Sequence, residues 1–463
     1  MERGLNRSAL LLFALSFLLL SVSPYLLSYG MFLDGVVYSA VSRNLAIGFG
    51  TLWKPAYSLT LGREFYGHPP LSFWLQSLFY RLLGDNLWVD KLYSFSVAAL
   101  NLTLFSVLYR RLRREEDPGP WAPLLVLFSF HSYRWVIRNN MLENATSTFV
   151  LLSLLFYVSA LRKGSLYSLP AGLSVLLAFL VKGPVGLFPL ATPLFLPSKA
   201  KTRRRILITT IGVGVFLLAF LLLLLNGEVR HFFSEYLRRQ LEASLTGREN
   251  PAPTRFYILY ALLTELLFPL SFLLPLLLVF RRLRWDRSTL GYLLVALAGS
   301  LPIMVSIKQA RFYLHPSLFF YALFLSSLFS PVLKAVEEWG PTWKVALPVS
   351  LINLVVASVV AYVNMGTGTG GYAPFYRTFV ERPANLRLKR HEYLSVCPKG
   401  LYANWSMFAG MERVFKLSMS QRVGYRYLLV DREACHGVPK GYVLLHPDPP
   451  DGFRFLLYVK ERP

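Results

Sequence analysis

Charged residues are scarce in this sequence, and the scarcity limits what the protein can be. Asp, Glu, Lys and Arg make up 16% of its 463 residues, whereas a soluble domain usually carries about 25%. Hydrophobic residues make up 54%, and the mean hydropathy is +0.44. A water-soluble enzyme is therefore excluded, because a soluble chain of this length would expose a large surface on which charge is needed.

Cysteine is almost absent as well. Two cysteines, Cys397 and Cys435, are too few for a disulfide scaffold or a zinc site. In an oxidising compartment they could pair, and two free thiols are the equal alternative. The sequence also lacks internal repeats and low-complexity tracts.

Basic residues outnumber acidic ones by 49 to 25, but they form no continuous patch. They occur as short clusters, at 110–114, 203–205 and 281–287, each set between long apolar runs. A nucleic-acid-binding surface would gather its basic residues on one face, so no nucleic-acid partner is expected. Clusters at the ends of apolar runs are typical of a polytopic membrane protein.

Apolar runs recur along most of the chain. A spanning helix needs about 20 apolar residues, and we predict a mainly α-helical protein with about eleven transmembrane helices. The segments begin near Leu10, Lys91, Trp121, Ala145, Leu166, Gly183, Ile206, Phe256, Leu290, Phe312 and Val345. If Arg3 and Arg7 lie inside, every basic cluster falls on the cytoplasmic side. Residues 28–90 and the chain after Tyr362 then face outside.

Two of the outer segments have the pattern of surface helices. Apolar residues recur at helical spacing from Leu71 to Leu82, and again every four residues from Phe233 to Leu241. Such helices lie on the outer membrane face with their apolar side against lipid.

The composition changes after Gly366 to glycine, proline, charged residues and short mixed runs. The runs at 425–430, 442–445 and 453–459 predict strands. We therefore divide the chain into a transmembrane domain of residues 1–365 and a small C-terminal α/β domain of residues 366–463.

Ionisable side chains gather in the segments predicted to lie outside. At membrane depth such groups are costly and are usually functional, so the pattern predicts an outward-facing cavity lined by acids and bases. Its members are Asp34, His68, Glu143, Lys182, Arg238, Lys308, Arg311 and His315.

Spacing alone leaves each of these roles open. Asp34 heads a helical stretch, where an N-cap and a catalytic acid are equal alternatives. Glu143 is as well placed for an ion pair with Arg138 as for chemistry. Lys182, in a Lys-Gly-Pro bend, is either a snorkelling lysine or a phosphate contact. The bend at 308–316 either holds a phosphate by charge-assisted hydrogen bonds or forms an interfacial belt.

Acids and cations together suit transfer from a phosphate-activated lipid donor. An acid can take the proton of an attacking hydroxyl, while cations stabilise the departing phosphate. A membrane transporter or flippase of a lipid-linked or anionic solute is the alternative, since it would also line a cavity with charge. The residues alone do not single out sugar.

Short motifs in the first outer loop follow a known pattern. They are Leu33-Asp34-Gly35, Arg43-Asn44, Gly48-Phe49-Gly50, Trp53-Lys54-Pro55 and His68-Pro69-Pro70. Together with Lys182-Gly183-Pro184, the 233–238 segment and the 308–316 bend, in that order, they resemble the bacterial members of glycosyltransferase family 39. This group contains protein mannosyltransferase-like proteins and lipid A aminoarabinose transferases. The resemblance covers the membrane part of the chain and implies the GT-C architecture with a polyprenyl-phosphate sugar as donor.

The resemblance also implies roles for single residues. The first outer loop, residues 28–90, would be catalytic, with Asp34 as its acid and Glu143 as the acid of the second outer loop. The donor phosphate would be bound by Lys182, Lys308, Arg311, Tyr313, His68 and Arg238. Relatives commonly have an acid where this chain has Gly67, and in some that acid helps hold a metal. A divalent metal is therefore undecided, with Glu64 and His68 as its candidate ligands.

The expected protein is an inverting hexosyl- or pentosyltransferase of the bacterial inner membrane. Its active site and its C-terminal domain would face the periplasm. The acceptor would be lipid A, another glycolipid or a protein.

Overall fold

The long apolar runs form long helices, because only a helix can satisfy its own backbone hydrogen bonds in apolar surroundings. The structure is a computed structural model that describes residues 2–243, 252–368, 375, 379, 386, 388–435, 437–445 and 454–461. The chain divides into two compact units. The first unit comprises Met1–Ser23, Gly67–Ser72 and Ser94–Val360, and the second comprises Pro24–Tyr66, Phe73–Tyr93 and Ala361–Pro463.

The α-helices of the described chain are numbered in order. They are α1 Glu2–Leu26, α2 Leu33–Ala46, α3 Leu71–Leu83, α4 Leu87–Leu112, α5 Trp121–Ser129, α6 His131–Arg138, α7 Leu142–Arg162, α8 Ser168–Lys182, α9 Thr202–Leu224, α10 Gly227–Tyr236, α11 Tyr257–Phe280, α12 Arg287–Ser300, α13 His315–Leu328, α14 Ser330–Glu338, α15 Trp343–Val363 and α16 Trp405–Gly410.

Short helices of other types join some of them. The 3₁₀ segments are Ser165–Tyr167, Gly183–Gly186, Phe188–Leu194, Leu301–Val305, Arg311–Leu314 and Lys399–Ala403. The π-helical turns are Leu237–Leu241, which continues α10, and Met411–Phe415, which continues α16.

The predicted mainly α-helical membrane fold is confirmed, but the predicted number of spanning helices is wrong. Within the described residues, eight continuous helices are long and apolar enough to cross a membrane. A ninth span is obtained if the bent pair formed by Arg311–Leu328 and Ser330–Glu338, with an angle of 70° between its parts, is counted as one.

Two predicted helices do not form as continuous spans, and proline accounts for the second of them. The run that begins near Trp121 divides into α5 and α6, which are 9 and 8 residues long, and Pro120 and Pro123 lie at the start of α5. The run that begins near Gly183 contains Pro184, Pro189 and Pro193 and forms 3₁₀ turns. Proline has no backbone N–H and cannot complete the α-helical ladder.

The predicted surface helices are confirmed as helices. The apolar repeat from Leu71 to Leu82 corresponds to α3, and the repeat that begins at Phe233 lies in α10 and the π-helical turn after it. Residues 244–251, in the loop that follows, lie outside the described part of the chain.

The second unit contains a five-stranded sheet. Its strands are β1 Glu392–Cys397, β2 Leu417–Ser420, β3 Tyr427–Asp431, β4 Tyr442–Leu444 and β5 Phe455–Lys460. The spatial order is β2-β1-β3-β5-β4, with β1 parallel to both β2 and β3, and β5 antiparallel to both β3 and β4.

The three predicted strand regions coincide with β3, β4 and β5, except that Phe453 lies outside the described residues. Cys397 and Cys435 form a disulfide with their Cα atoms 5.7 Å apart, so the paired alternative holds. The predicted boundary between residues 365 and 366 stays a prediction. In the structure, residues 24–66 and 73–93 of the first outer segment belong to the same compact unit as the C-terminal residues.

Candidate functional site

The Lys182-Gly183-Pro184 bend in the first unit has a backbone that only glycine adopts easily. Gly183 has φ +70° and ψ −140°, directly after the last residue of α8. A Cβ atom at Gly183 would also lie 2.2 Å from Tyr236 Oη. The glycine is therefore required twice, by its backbone conformation and by the close approach of a phenol.

Lys182 is joined to Glu143 in a buried ion pair. The distance from Lys182 Nζ to Glu143 Oε1 is 2.5 Å, and the two residues are 5% and 0% exposed. Glu143 lies in the first turn of α7 and Lys182 in the last turn of α8, so each charge lies at the helix end whose dipole favours it. From the sequence, Arg138 was a possible ion-pair partner for Glu143, and Lys182 had no acid nearby in the chain. The fold instead pairs Glu143 with Lys182.

The ammonium group of Lys182 has more hydrogen-bond donors than partners among the described residues. A lysine has three N–H donors, and Glu143 is its only hydrogen-bond partner among the described residues. The rings of Tyr313 and Phe312 lie against the same group, with centroids 4.8 and 5.6 Å from Nζ. An anion reaching Lys182 could therefore be bound without first breaking a complete coordination shell.

A cavity of about 570 Å³ opens next to this lysine. Polar groups on its wall include Lys182, Lys308, His68 and Tyr313, so four of the predicted phosphate-binding residues meet in one place. Much of the remaining wall is apolar and comes from Pro184, Val185, Leu187, Phe188, Ala191, Pro302 and Ile303. A cavity with two ammonium groups and a long apolar wall suits an amphiphilic anion.

His68 lies on this wall in a setting that disfavours positive charge. Burial lowers its pKa well below the ordinary value, and the charges of Lys182 and Lys308 lower the pKa further. The imidazole is therefore a neutral hydrogen-bonding group at neutral pH.

The surroundings of His68 also do not favour a metal cation, since two ammonium groups act on it. The other candidate ligand, Glu64, is exposed and accepts a hydrogen bond from the Tyr66 hydroxyl at 3.0 Å. Within the described residues, no group of three or more His, Cys, Asp and Glu side chains is placed to hold a metal. Metal dependence stays a prediction.

Two predicted phosphate contacts have acidic partners of their own. Arg238 is exposed on the turn after α10 and donates to both carboxylate oxygens of Glu235, at 2.8 and 3.0 Å. Arg311 is half-buried, and its Nη1 lies 3.9 Å from Glu265 Oε1. Neither arginine is among the residues found on the cavity wall, and their contact with phosphate stays a prediction.

Glu265 is a buried acid that the sequence reasoning missed. It lies in the spanning helix α11 and is 1% exposed. Its carboxylate accepts hydrogen bonds from the Ser132 hydroxyl at 2.6 Å and from the Ser132 N–H at the start of α6. The signal was available, because a single acid inside a 24-residue apolar helix is costly and needs partners.

His315, also named among the outer ionisable residues, is fully buried. Its Nδ1 lies 3.0 Å from Ser147 Oγ, and its ring stacks on Tyr133 with centroids 5.4 Å apart. These contacts give His315 a place in the packing of α7 and α13.

Asp34 belongs to the second unit and is half-buried in the first turn of α2. The N-cap of this helix is Phe32, and no side chain caps it. The N-cap alternative for Asp34 is therefore wrong. A carboxylate in the first turn of a helix is still stabilised by the helix dipole, and the catalytic role of Asp34 stays a prediction.

The C-terminal end of α2 is held by a set of charges, which we call the arginine network: the buried Arg43, Arg413, Asp90 and Glu412, and the partly exposed Asp85. Arg413 Nη1 donates to Asp85 at 2.8 Å and Nη2 donates to Asp90 at 2.7 Å. Arg43 Nη2 donates to the backbone carbonyl of Glu412 at 2.9 Å. The sequence reasoning missed this network, because its members are separated by up to 370 residues.

Known proteins resemble this chain in sequence and in fold. Residues 67–226 match the family model of dolichyl-phosphate-mannose-protein mannosyltransferases. That segment contains His68, Glu143 and Lys182. A comparison with curated proteins finds no match.

Solved structures resemble the chain over nearly its whole length. ArnT from Cupriavidus metallidurans bound to undecaprenyl phosphate has 14% sequence identity and a TM-score of 0.60, over 97% of each chain. Its apo form has 14% identity and a TM-score of 0.59, also over 97% of each chain. This chain has the ArnT fold. The predicted membrane fold is thereby confirmed, and the resemblance in sequence is found over residues 67–226.

Proposed function

We propose that this protein is an integral membrane glycosyltransferase that moves a sugar from a polyprenyl-phosphate donor to a lipid or protein acceptor. The observation that carries the proposal is the cavity, in which Lys182 and Lys308 accompany a long apolar wall. A polyprenyl phosphate has one anionic group and a long hydrocarbon chain, so both parts of the cavity have a matching part of the ligand. Undecaprenyl phosphate bound to ArnT, which has the same fold, supports this choice of donor.

The reaction needs an acceptor, a base and a leaving group. An acceptor hydroxyl attacks the anomeric carbon while the bond from that carbon to the phosphate oxygen breaks, and polyprenyl phosphate leaves. Asp34 accepts the hydroxyl proton. Lys182 and Lys308 stabilise the charge that grows on the phosphate, with Tyr313 as a hydrogen-bonding group. Attack opposite the leaving group inverts the anomeric centre.

Glu143 acts through Lys182 rather than on substrate. Its carboxylate holds one of the three lysine donors and fixes the direction of the others. The Cys397–Cys435 disulfide supports an outer, oxidising location for the C-terminal residues, and the periplasmic side of a bacterial inner membrane is the compartment we propose.

The test compares envelope lipids and proteins of a strain that lacks the gene with those of the same strain carrying the wild-type gene or Asp34→Asn. Mass spectrometry should find one glycolipid or protein that loses a hexose- or pentose-sized mass on deletion. The wild-type gene should restore that mass, and Asp34→Asn should not. If the deletion strain instead accumulates an unmodified lipid-linked solute and every sugar-bearing product is intact, the transporter alternative is correct.

A further inference from the structure

Tyr236, at the end of α10, lies in the 233–238 motif segment and on the cavity wall, but none of the predicted site roles includes it. It is 3% exposed and lies on the cavity wall. Its hydroxyl packs against Gly183, where an added Cβ would be 2.2 Å from Tyr236 Oη. Since Gly183 directly follows Lys182, the phenol lies at the same bend that carries the buried ammonium group.

The hydroxyl of Tyr236 makes no hydrogen bond with any other residue in the described part of the chain. Among other buried tyrosines of the first unit, the hydroxyls of Tyr133 and Tyr157 also have no partner among the described residues, whereas those of Tyr109 and Tyr321 have one. Tyr109 Oη donates to the Pro118 carbonyl at 2.8 Å, and Tyr321 Oη lies 2.8 Å from Ser300 Oγ. A buried phenol usually has such a partner. A phenol on the wall of a cavity, with no partner among the described residues, is suited to donate its proton to a ligand.

The Tyr236 hydroxyl also stays a donor across the physiological range, since burial raises its pKa above the ordinary value. Neutral donors complement ammonium groups at a phosphate, because they add hydrogen bonds without adding like-charge repulsion.

We propose that the Tyr236 hydroxyl donates a hydrogen bond to a phosphate oxygen of the polyprenyl-phosphate donor, next to Lys182. The inference rests on the proposed function and adds a binding residue to it. It also explains why position 183 is glycine, since any side chain there would displace the phenol from the bend.

The test measures binding of two lipid probes, a C55 polyprenyl phosphate and the uncharged polyprenol of the same length, to purified protein in nanodiscs. Tyr236→Phe removes only the hydroxyl. We expect it to weaken binding of the phosphate about tenfold or more, which is the size of a hydrogen bond to a charged group, and to leave polyprenol binding unchanged.

Tyr157→Phe is the matched control. Tyr157 is fully buried, and its hydroxyl is enclosed against Gly212 in the same manner, where an added Cβ would lie 2.2 Å from Tyr157 Oη. It is not one of the residues found on the cavity wall. This variant should bind both probes as the wild type does.

The outcomes separate the two claims. Phosphate binding by Tyr236→Phe that equals the wild type would overturn the inference and leave the proposed function standing. Equal loss of both probes would also overturn it, because the hydroxyl would then only support the cavity's shape. Wild-type protein that binds polyprenol as tightly as polyprenyl phosphate would contradict the proposed function itself.

Discussion

Buried charges occur in both compact units, and the two sets differ in how fully they are satisfied. In the second unit, Arg413 directs its guanidinium N–H groups to Asp85, to Asp90 and to the carbonyl of Asn86. In the first unit, Lys182 has one hydrogen-bond partner, Glu143, among the described residues, and it lies on a cavity wall.

The comparison separates two uses of a buried charge. A charge such as that of Arg413, four of whose five N–H donors bond to protein, holds the fold and keeps little capacity for a ligand. A charge that keeps donors in reserve beside a cavity can bind a substrate anion. Burial of an ionisable group therefore does not identify a functional residue by itself. We use the number of donors without a partner among the described residues as a second criterion.

The largest expected effect is on stability and belongs to the arginine network. Arg413→Met leaves Asp85 and Asp90 without their main cationic partner. Breaking a buried ion pair in this way typically costs about 3 to 5 kcal/mol. We expect a large drop in the thermal unfolding midpoint, measured by the tryptophan fluorescence of the purified protein. Arg422→Met, at an exposed position of the same unit, is the control and should change little. An unchanged midpoint for Arg413→Met would remove the structural role of the network.

The next largest effect is on the rate of sugar transfer and concerns Lys182 in the first unit. Lys182→Gln should reduce transfer by about 10- to 150-fold, since a hydrogen bond to a charged group is worth about 1.5 to 3 kcal/mol. The measurement is transfer at varied donor concentration in nanodiscs. The exposed Lys163→Gln is the control.

Lys182→Gln also leaves Glu143 as a buried charge without its ammonium partner, so the double variant Glu143→Gln/Lys182→Gln sharpens the comparison. Two amides can hydrogen-bond to each other without a buried charge, and the thermal midpoint should recover. Transfer should stay low. Recovery of both properties together would mean that Lys182 serves only the fold.

A smaller effect is expected for Glu143→Gln alone. The amide oxygen can still accept a hydrogen bond from Lys182, so transfer should fall by less than about tenfold, as for a neutral hydrogen bond. Removal of a general base would instead lower turnover by a factor of about 10² to 10⁴. Transfer by Glu228→Gln, at an exposed position, provides the baseline. A loss in the larger range would give Glu143 a direct role in proton transfer.

The smallest effect is a pH dependence of stability from Asp85. Burial by itself would raise the pKa of this carboxyl, but the charges of Arg413 and Arg43 lower it well below the ordinary value. A carboxyl with a lowered folded-state pKa stabilises the fold fully above its unfolded pKa of about 4, and the contribution is lost as the pH falls through the folded-state pKa. The thermal midpoint should therefore fall below about pH 4. Asp85→Asn should reduce the decrease of the thermal midpoint at low pH. If the midpoint of this variant falls with pH as that of the wild type does, Asp85 does not cause the decrease.

Local patterns of the sequence predicted much of the fold. The apolar repeat from Leu71 to Leu82 became α3, and the runs around Tyr427 and Tyr442 became strands. These features depend on neighbours a few residues apart, which periodicity reports directly. The number of spanning helices was wrong because hydropathy does not register the missing N–H groups of Pro189 and Pro193.

The candidate site was predictable in its residue types but not in its pairings. Motif resemblance indicated Lys182, Lys308, Tyr313 and His68, which the fold brings to one cavity. The partner of Lys182 is 39 residues away, and only the packing of α7 against α8 brings it there. Tyr236 lies in the 233–238 motif segment, but the motif gave it no role. The role we propose follows from its contact with Gly183 and its place on the cavity wall.

We propose that this chain breaks the bond between a sugar and a polyprenyl phosphate, with Asp34 as the base. The most direct measurement is mass-spectrometric detection of free polyprenyl phosphate released from a polyprenyl-phosphate sugar by the purified protein in nanodiscs, with an envelope extract as acceptor. We predict release by the wild type and a decrease of about 10² to 10⁴ for Asp34→Asn, with normal membrane insertion. Release by Asp34→Asn at the wild-type rate, or no release by the wild type with any sugar donor, would contradict the account.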